Sequence, residues 1–252
     1  MAIELSILVE AADRFLNAAN IADYCPNGLQ VEGRSPVRRI VSGVTASQEL
    51  LDAAVAADAD LVLVHHGYFW KGENPCVTGM KKRRLKTLLA HDMSLLAYHL
   101  PLDVHGEVGN NVQLAQRLGL QVEGPLEADN PRSVALIGSL PEALSATEFA
   151  ARVQAVLGRQ PLLVDAQRPV RRVGWCTGGG QGYIDQAIAA GVDLYLTGEA
   201  SEQTFHSARE NGISFIAAGH HATERYGVQA LGDYLAQRFA IEHRFIDCAN
   251  PI

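Results

Sequence analysis

Apolar positions along this chain recur with two periods. Residues 3–19 carry Ile3, Leu5, Ile7, Leu8, Ala11, Phe15, Leu16 and Ala19, a helical spacing. Residues 60–64 instead end in four consecutive apolar residues, Leu61 to Val64, which reads as a short buried strand. Carried along the chain, the two patterns predict strands at 39–44, 60–64, 93–98, 133–138, 161–164, 172–177, 193–197, 213–217 and 241–246. They predict helices at 47–57, 81–91, 111–118, 146–157, 183–190, 201–210 and 224–238, with Ser47 as an N-cap. Residues 24–36, with Pro26-Asn27-Gly28, read as a loop, and so do 67–79. Residues 99–105 also read as loop, because Pro101 opposes helix and central strand. Residues 121–132 read as a connector. Strands alternating with helices predict an α/β protein with largely parallel pairing.

The pattern repeats. Residues 37–66 align without gaps on 170–199, at an offset of 133. Eleven pairs are identical: Val37/Val170, Arg38/Arg171, Arg39/Arg172, Gln48/Gln181, Asp52/Asp185, Ala54/Ala187, Ala56/Ala189, Ala57/Ala190, Asp60/Asp193, Leu61/Leu194 and Leu63/Leu196. Further on, Ser94 to Ala97 corresponds to Ser214 to Ala217, with His99 and His220 just beyond. The chain therefore reads as two copies of one α/β unit, residues 1–125 and 126–252.

Composition narrows the function classes. The chain has 252 residues, is 48% hydrophobic and carries a net charge of -7, which disfavours general nucleic-acid binding. No apolar run reaches the roughly 20 residues of a membrane span, and the N-terminus lacks the pattern of a signal peptide. The four cysteines are scattered without a C-x-x-C, which argues against a zinc ribbon and a disulfide framework. A cytoplasmic protein is the expectation.

Candidate chemistry gathers at the strand ends, where open α/β sheets bind ligands. One copy ends in His65-His66 and in His99 to Asp103; the other ends in Gly198-Glu199 and in His220 to Glu224. The minimal set is His65, His66, Asp103, His220 and Glu224. Three imidazoles and two carboxylates suit two divalent transition-metal ions, with Zn, Fe, Mn and Ni equally compatible. Alternation along a strand favours His65 and His66 serving different ions. Each member has a plainer reading. Asp103 fits a loop or cap residue, and Glu224 fits the first turn of a helix, facing its dipole. His221, His99, His105 and Glu199 are candidates for proton transfer, substrate contact or support of the ligands.

Three further features carry two readings each. Cys176-Thr177-Gly178-Gly179-Gly180 follows a strand and precedes a helix: a phosphate cradle or a tight turn. Lys81-Lys82-Arg83-Arg84 reads first as a solvated helix face and second as a clamp for an anion. The 24–36 loop reads as a plain turn on turn chemistry, against a loop over the site.

Four segments together resemble one family. They are Val64 to Trp70, His99 to Asp103, Trp175 to Gln181 and Gly219 to Arg225. All look like the NGG-interacting-factor-three-like proteins, in their YbgI-like bacterial branch, known as GTP cyclohydrolase I type 2 homologs. The resemblance spans essentially the whole chain, from Tyr24 to Pro251. It implies two intertwined α/β repeats, a toroidal homohexamer and a dinuclear metal site on His65, His66, Asp103, His220 and Glu224. It chooses His220 over His221, which spacing alone leaves open. For activity it implies GTP cyclohydrolase chemistry or the handling of damaged nucleotides. The site and the resemblance together are read as a metal-dependent hydrolase acting on a nucleotide or related anionic small molecule, with His221 or His99 moving protons. The alternative is a non-catalytic metal-binding scaffold or partner-interaction protein. Metal storage or delivery is a third reading, predicting ions that exchange readily.

Overall fold

The structure is a computed structural model and describes residues 1–130 and 133–252. The last two residues of the predicted 121–132 connector lie outside the described residues. The strands are β1 (Gly28–Val31), β2 (Arg39–Thr45), β3 (Leu61–His66), β4 (Ser94–Ala97), β5 (Gln121–Pro125), β6 (Leu136–Leu144), β7 (Leu162–Val164), β8 (Val170–Trp175), β9 (Leu194–Thr197), β10 (Ser214–Ala217) and β11 (Glu242–Phe245). The helices are α1 (Leu5–Phe15), α2 (Gln48–Ala56), α3 (Gly79–Ala90), α4 (Leu100–Val104), α5 (Asn110–Leu118), α6 (Ala146–Leu157), α7 (Ile184–Ala189), α8 (Glu202–Asn211), α9 (His220–Thr223) and α10 (Arg225–Phe239).

Two compact units divide the chain. The first comprises Met1–Gly109 and Gly227–Ala249, the second Asn110–Tyr226 and Asn250–Ile252. These are not the sequence halves 1–125 and 126–252. Val228, Leu231 and Leu235 of α10 belong to the same core as α1, so the chain returns to its first unit near its end.

In the first unit the strand order is β1-β4-β3-β2-β11. The pairings of β4, β3, β2 and β11 are parallel, and β1 runs antiparallel at the edge. Alternate residues of the central strand feed two cores. Leu61 and Leu63 join Leu5, Leu8 and the apolar face of α10, while Val62 and Val64 join Leu50, Leu51 and Leu88 of α2 and α3. Burial on both faces is why this strand reads as an unbroken apolar run.

In the second unit the order is β5-β6-β8-β9-β10-β7. The central β8, β9 and β10 are parallel, and β5, β6 and β7 are added antiparallel. Leu194 and Leu196 face one core with Phe149 and Trp175, while Tyr195 faces the other with Phe215. The protein is thus mixed α/β with largely parallel sheets. Among the described residues no helix is long and apolar enough to cross a membrane.

The repeat is visible in the hydrogen bonds. Asp60 Oδ2 accepts from the backbone N–H groups of Arg38 (2.8 Å) and Arg39 (3.0 Å). Its aligned partner Asp193 does the same for Arg171 (3.0 Å) and Arg172 (2.8 Å). Ser94 Oγ accepts from Gly33 N–H at 3.0 Å, and Ser214 Oγ from Ala166 N–H at 3.1 Å. The identical pair Asp60/Asp193 and the corresponding serines Ser94 and Ser214 therefore make equivalent bonds at the strand starts.

Four local expectations are corrected. The 24–36 segment contains a strand, β1, too short to show a period and recognisable only by its pairing with β4. The connector after residue 120 contains β5, paired with β6. Residues 100–104 are helical, because Pro101 falls in the first turn, where no N–H is needed. Glu224 is not inside the first turn of the last helix; it is the junction residue that ends α9, just before α10.

Candidate metal centre

The five sequence-predicted ligands fall into two groups, one in each unit. His65, His66 and Asp103 lie in the first, with His99; His220 and Glu224 lie in the second, with Glu199 and His221.

In the first unit β3 runs through the histidines themselves. His65 is fully buried and its Nδ1 lies 2.8 Å from the carbonyl oxygen of Tyr98. A carbonyl only accepts, so Nδ1 carries the proton and Nε2 presents its lone pair. That Nε2 faces Asp103 Oδ1 at 3.5 Å. His66 is half-buried, with Nδ1 3.1 Å from Thr45 Oγ1. Strand alternation favours separation of the two rings, yet their centroids are only 4.6 Å apart. Nitrogens of His65, His66 and His99 lie within 4.8 Å of one another, so His99 joins this group directly.

His99 is held by Asn27, within the 24–36 segment, and by Asp23 just before it. Asp23 Oδ1 accepts from His99 Nδ1 at 3.0 Å and from Tyr24 N–H at 2.7 Å. Asp23 Oδ2 accepts from Asn27 Nδ2 and Leu100 N–H, both at 2.9 Å. Asn27 Oδ1 accepts from the His99 backbone N–H at 2.7 Å. Burial pushes the Asp23 carboxyl upward, but the bonds from His99, Asn27 and Leu100 prevail and hold it well below the usual carboxylate range. The plain-turn reading of this segment is therefore replaced: residues 23–27 position a member of the site. The only sequence signal was an acid and an amide beside Pro26-Gly28, which is ordinary turn composition.

The second unit repeats the arrangement with other residues. His220 Nδ1 lies 2.7 Å from Glu199 Oε1, and its Nε2 lies 3.2 Å from Glu224 Oε2. Glu224 is buried and His220 half-buried. Burial works against the His220 imidazolium, but Glu224 and Glu199 outweigh it and push the pKa up to about 9. Because that value lies above the ordinary 6.5, the pair stabilises the metal-free fold fully below about pH 6.5, and the effect fades as pH rises through 9. Metal must displace this proton, so metal uptake at this group should strengthen with pH up to about 9. Ring NMR of metal-free protein would show the His220 titration. The stability difference from His220→Gln should shrink between pH 6.5 and 9, and a constant difference would contradict the assignment.

The glycine turn is structural. Thr177 N–H donates to Asn111 Oδ1 (3.0 Å), Gly178 N–H to Thr223 Oγ1 (2.9 Å) and Gly180 N–H to Thr197 Oγ1 (3.0 Å). Three of the turn's N–H donors are thus used within the protein, which favours the tight-turn reading. Gly178 is at φ +66, and a Cβ there would sit 2.0 Å from Glu224 Oε1. The turn thus leaves room for Glu224.

Other candidates separate. His105 is structural: its Nε2 is 3.0 Å from the Phe15 carbonyl, and its Nδ1 accepts from Glu107 and Val108 N–H, both at 3.2 Å. His221 is buried on α9, with its backbone N–H donating to the Ile252 oxygen at 3.0 Å. Lys82 and Arg83 are exposed, as a solvated face would have it, whereas Lys81 is largely covered, 3.2 Å from Glu73 and over the Phe69 ring, and Arg84 is half-buried.

Imidazole nitrogens and carboxylates at these distances fit a divalent transition metal. By fold and side chains this is a mixed α/β protein carrying His/Asp/Glu groups able to hold metal. The chain belongs to the Duf34/NIF3 (NGG1p interacting factor 3) family, whose sequence model it matches over residues 3–251. It is 78% identical over 251 residues to the "GTP cyclohydrolase 1 type 2 homolog" of Pseudomonas aeruginosa, covering 100% of both chains. It is 56% identical to the protein so named from Salmonella typhimurium, with 94% of each covered. Among solved structures, protein ybgI superposes with a TM-score of 0.96 at 52% identity, over 99% of this chain and 100% of that one.

Proposed function

We propose that this protein holds two divalent transition-metal ions per chain through His65, His66, Asp103, His220 and Glu224. We further propose that it is a hydrolase acting on a nucleotide or related anionic small molecule, as the name of its relatives suggests. The observation that carries this reading is the repeated pinning of a histidine. His65 is tied through Nδ1 to the Tyr98 carbonyl and turns Nε2 toward Asp103. His220 is tied through Nδ1 to Glu199 and turns Nε2 toward Glu224. Ligand histidines are oriented in this way, with the far nitrogen fixed by an acceptor.

Bound ions would supply Lewis acidity and lower the pKa of water. The protein's own part is orientation and proton movement. With Nδ1–H held by Asp23, His99 can take up or release a proton only at Nε2. His221 is the second proton-transfer candidate. The assembly expected from the family resemblance is a homohexamer, and the expected location is the cytoplasm.

The test is metal content per chain and mass in solution on untagged, chelator-free protein, followed by turnover of GTP and oxidised nucleotides before and after chelation. About two ions per chain, a hexamer and turnover lost with the metal are expected. Two tightly held ions without turnover would favour the non-catalytic scaffold, and absence of metal would remove both readings.

A further inference from the structure

Beside His66 and His99 stands a set of aromatic rings that no step above uses. Trp70 lies edge to face with His99 at 5.0 Å between centroids and tilted against His66 at 5.9 Å. Tyr24 lies edge to face with His99 at 5.0 Å and 5.9 Å from Trp70. Tyr24 is 52% exposed and Trp70 half-buried, so part of each ring is open to solvent.

Their backbone is fixed in advance. Trp70 Nε1–H donates to the Gly67 carbonyl at 3.2 Å and Trp70 N–H to Glu73 at 3.1 Å. Lys71 N–H donates to the Tyr24 carbonyl at 2.8 Å, stitching the two loops together. Tyr68 N–H donates to Gln30 Oε1 at 2.7 Å, and a Cβ on Gly67 would meet that same oxygen at 2.2 Å. Phe69 is held at φ +66, a conformation a bulky residue adopts only when its surroundings impose it. With its side-chain N–H bonded inside the protein, what the half-buried Trp70 can offer a ligand is the open part of its ring.

We propose that Trp70 and Tyr24 form a receptor for a flat aromatic ring, a nucleobase or equivalent heterocycle, that seats a ligand beside His66 and His99. Stacking on aromatic faces tolerates different bases, so these residues select for the presence of a ring and not for its hydrogen-bonding pattern. This inference rests on the reading of the histidine group as the place where a small anionic molecule is processed.

The experiment is a titration of the full-length, metal-bearing protein with guanosine, ribose 5-phosphate and inorganic phosphate, followed by tryptophan fluorescence and calorimetry. The other tryptophan, Trp175, is fully buried, so quenching reports Trp70. Guanosine should quench and bind at least about tenfold more tightly than ribose 5-phosphate. Trp70→Leu and, separately, Tyr24→Ala should each weaken guanosine by about tenfold, with Trp70→Phe retaining most of the affinity. Ribose 5-phosphate binding as tightly as guanosine would overturn the receptor, as would guanosine affinity unchanged in both Trp70→Leu and Tyr24→Ala. Failure of the underlying reading is seen separately in metal content: a metal-free sample still quenched by guanosine through Trp70 keeps the receptor and removes the hydrolase.

Discussion

Replacing His65 with alanine is expected to abolish binding of at least one metal ion while leaving the fold intact. The ring is fully buried and bonded to the Tyr98 carbonyl, so the variant carries a structural cost. A buried carbonyl left without its donor, plus a small cavity, costs on the order of 1–3 kcal/mol. That is tolerable for a domain with two cores on its first sheet, and the flanking Leu63 and Val64 keep their packing. The metal loss is the larger effect, because alanine offers no nitrogen in place of the Nε2 that faces Asp103. Elemental analysis per chain and circular dichroism would be read together. His105→Ala supplies the control: it should lower the unfolding midpoint, having lost its bond to Phe15, yet keep a full metal complement. A folded His65→Ala protein with all its metal would remove His65 from the ligand set.

Gly178→Ala should damage the second unit's candidate metal group with a single methyl group. The position is at φ +66, which costs an L-residue about 1–2 kcal/mol before any contact is counted. The new Cβ would then lie 2.0 Å from Glu224 Oε1 and 3.2 Å from His220 Nε2. Glu224 is buried and cannot swing into solvent without cost, so its present position beside His220 is lost. The expected result is reduced stability together with metal loss comparable to that of Glu224→Gln. Gly182→Ala, four residues on, meets nothing within 4 Å and should change neither property. Normal metal content in Gly178→Ala would show that Glu224 is not held in place by the turn, and would weaken its assignment as a ligand.

Much of this protein was determined by sequence alone. The unbroken run Leu61 to Val64 fixes a strand buried on both faces, because alternate side chains must enter two separate cores. The offset of 133 residues fixes the duplication, and Asp60 and Asp193 show why: each side chain accepts the same pair of backbone N–H groups at its strand start. Periodicity and repetition are local properties, and a chain displays them without being folded. Tertiary structure decided the rest. Asp23 and Asn27 look like turn residues until the fold brings His99, 76 residues from Asp23, onto them. The strand β1 exists only through its pairing with β4, and Pro101 permits a helix only because it occupies the first turn. His105 and His99 are indistinguishable as letters in one heptapeptide. One closes a turn against Phe15, and the other stands among the metal-type donors. Which atom of a histidine is tied down depends on a partner distant in sequence, and no local pattern records that partner.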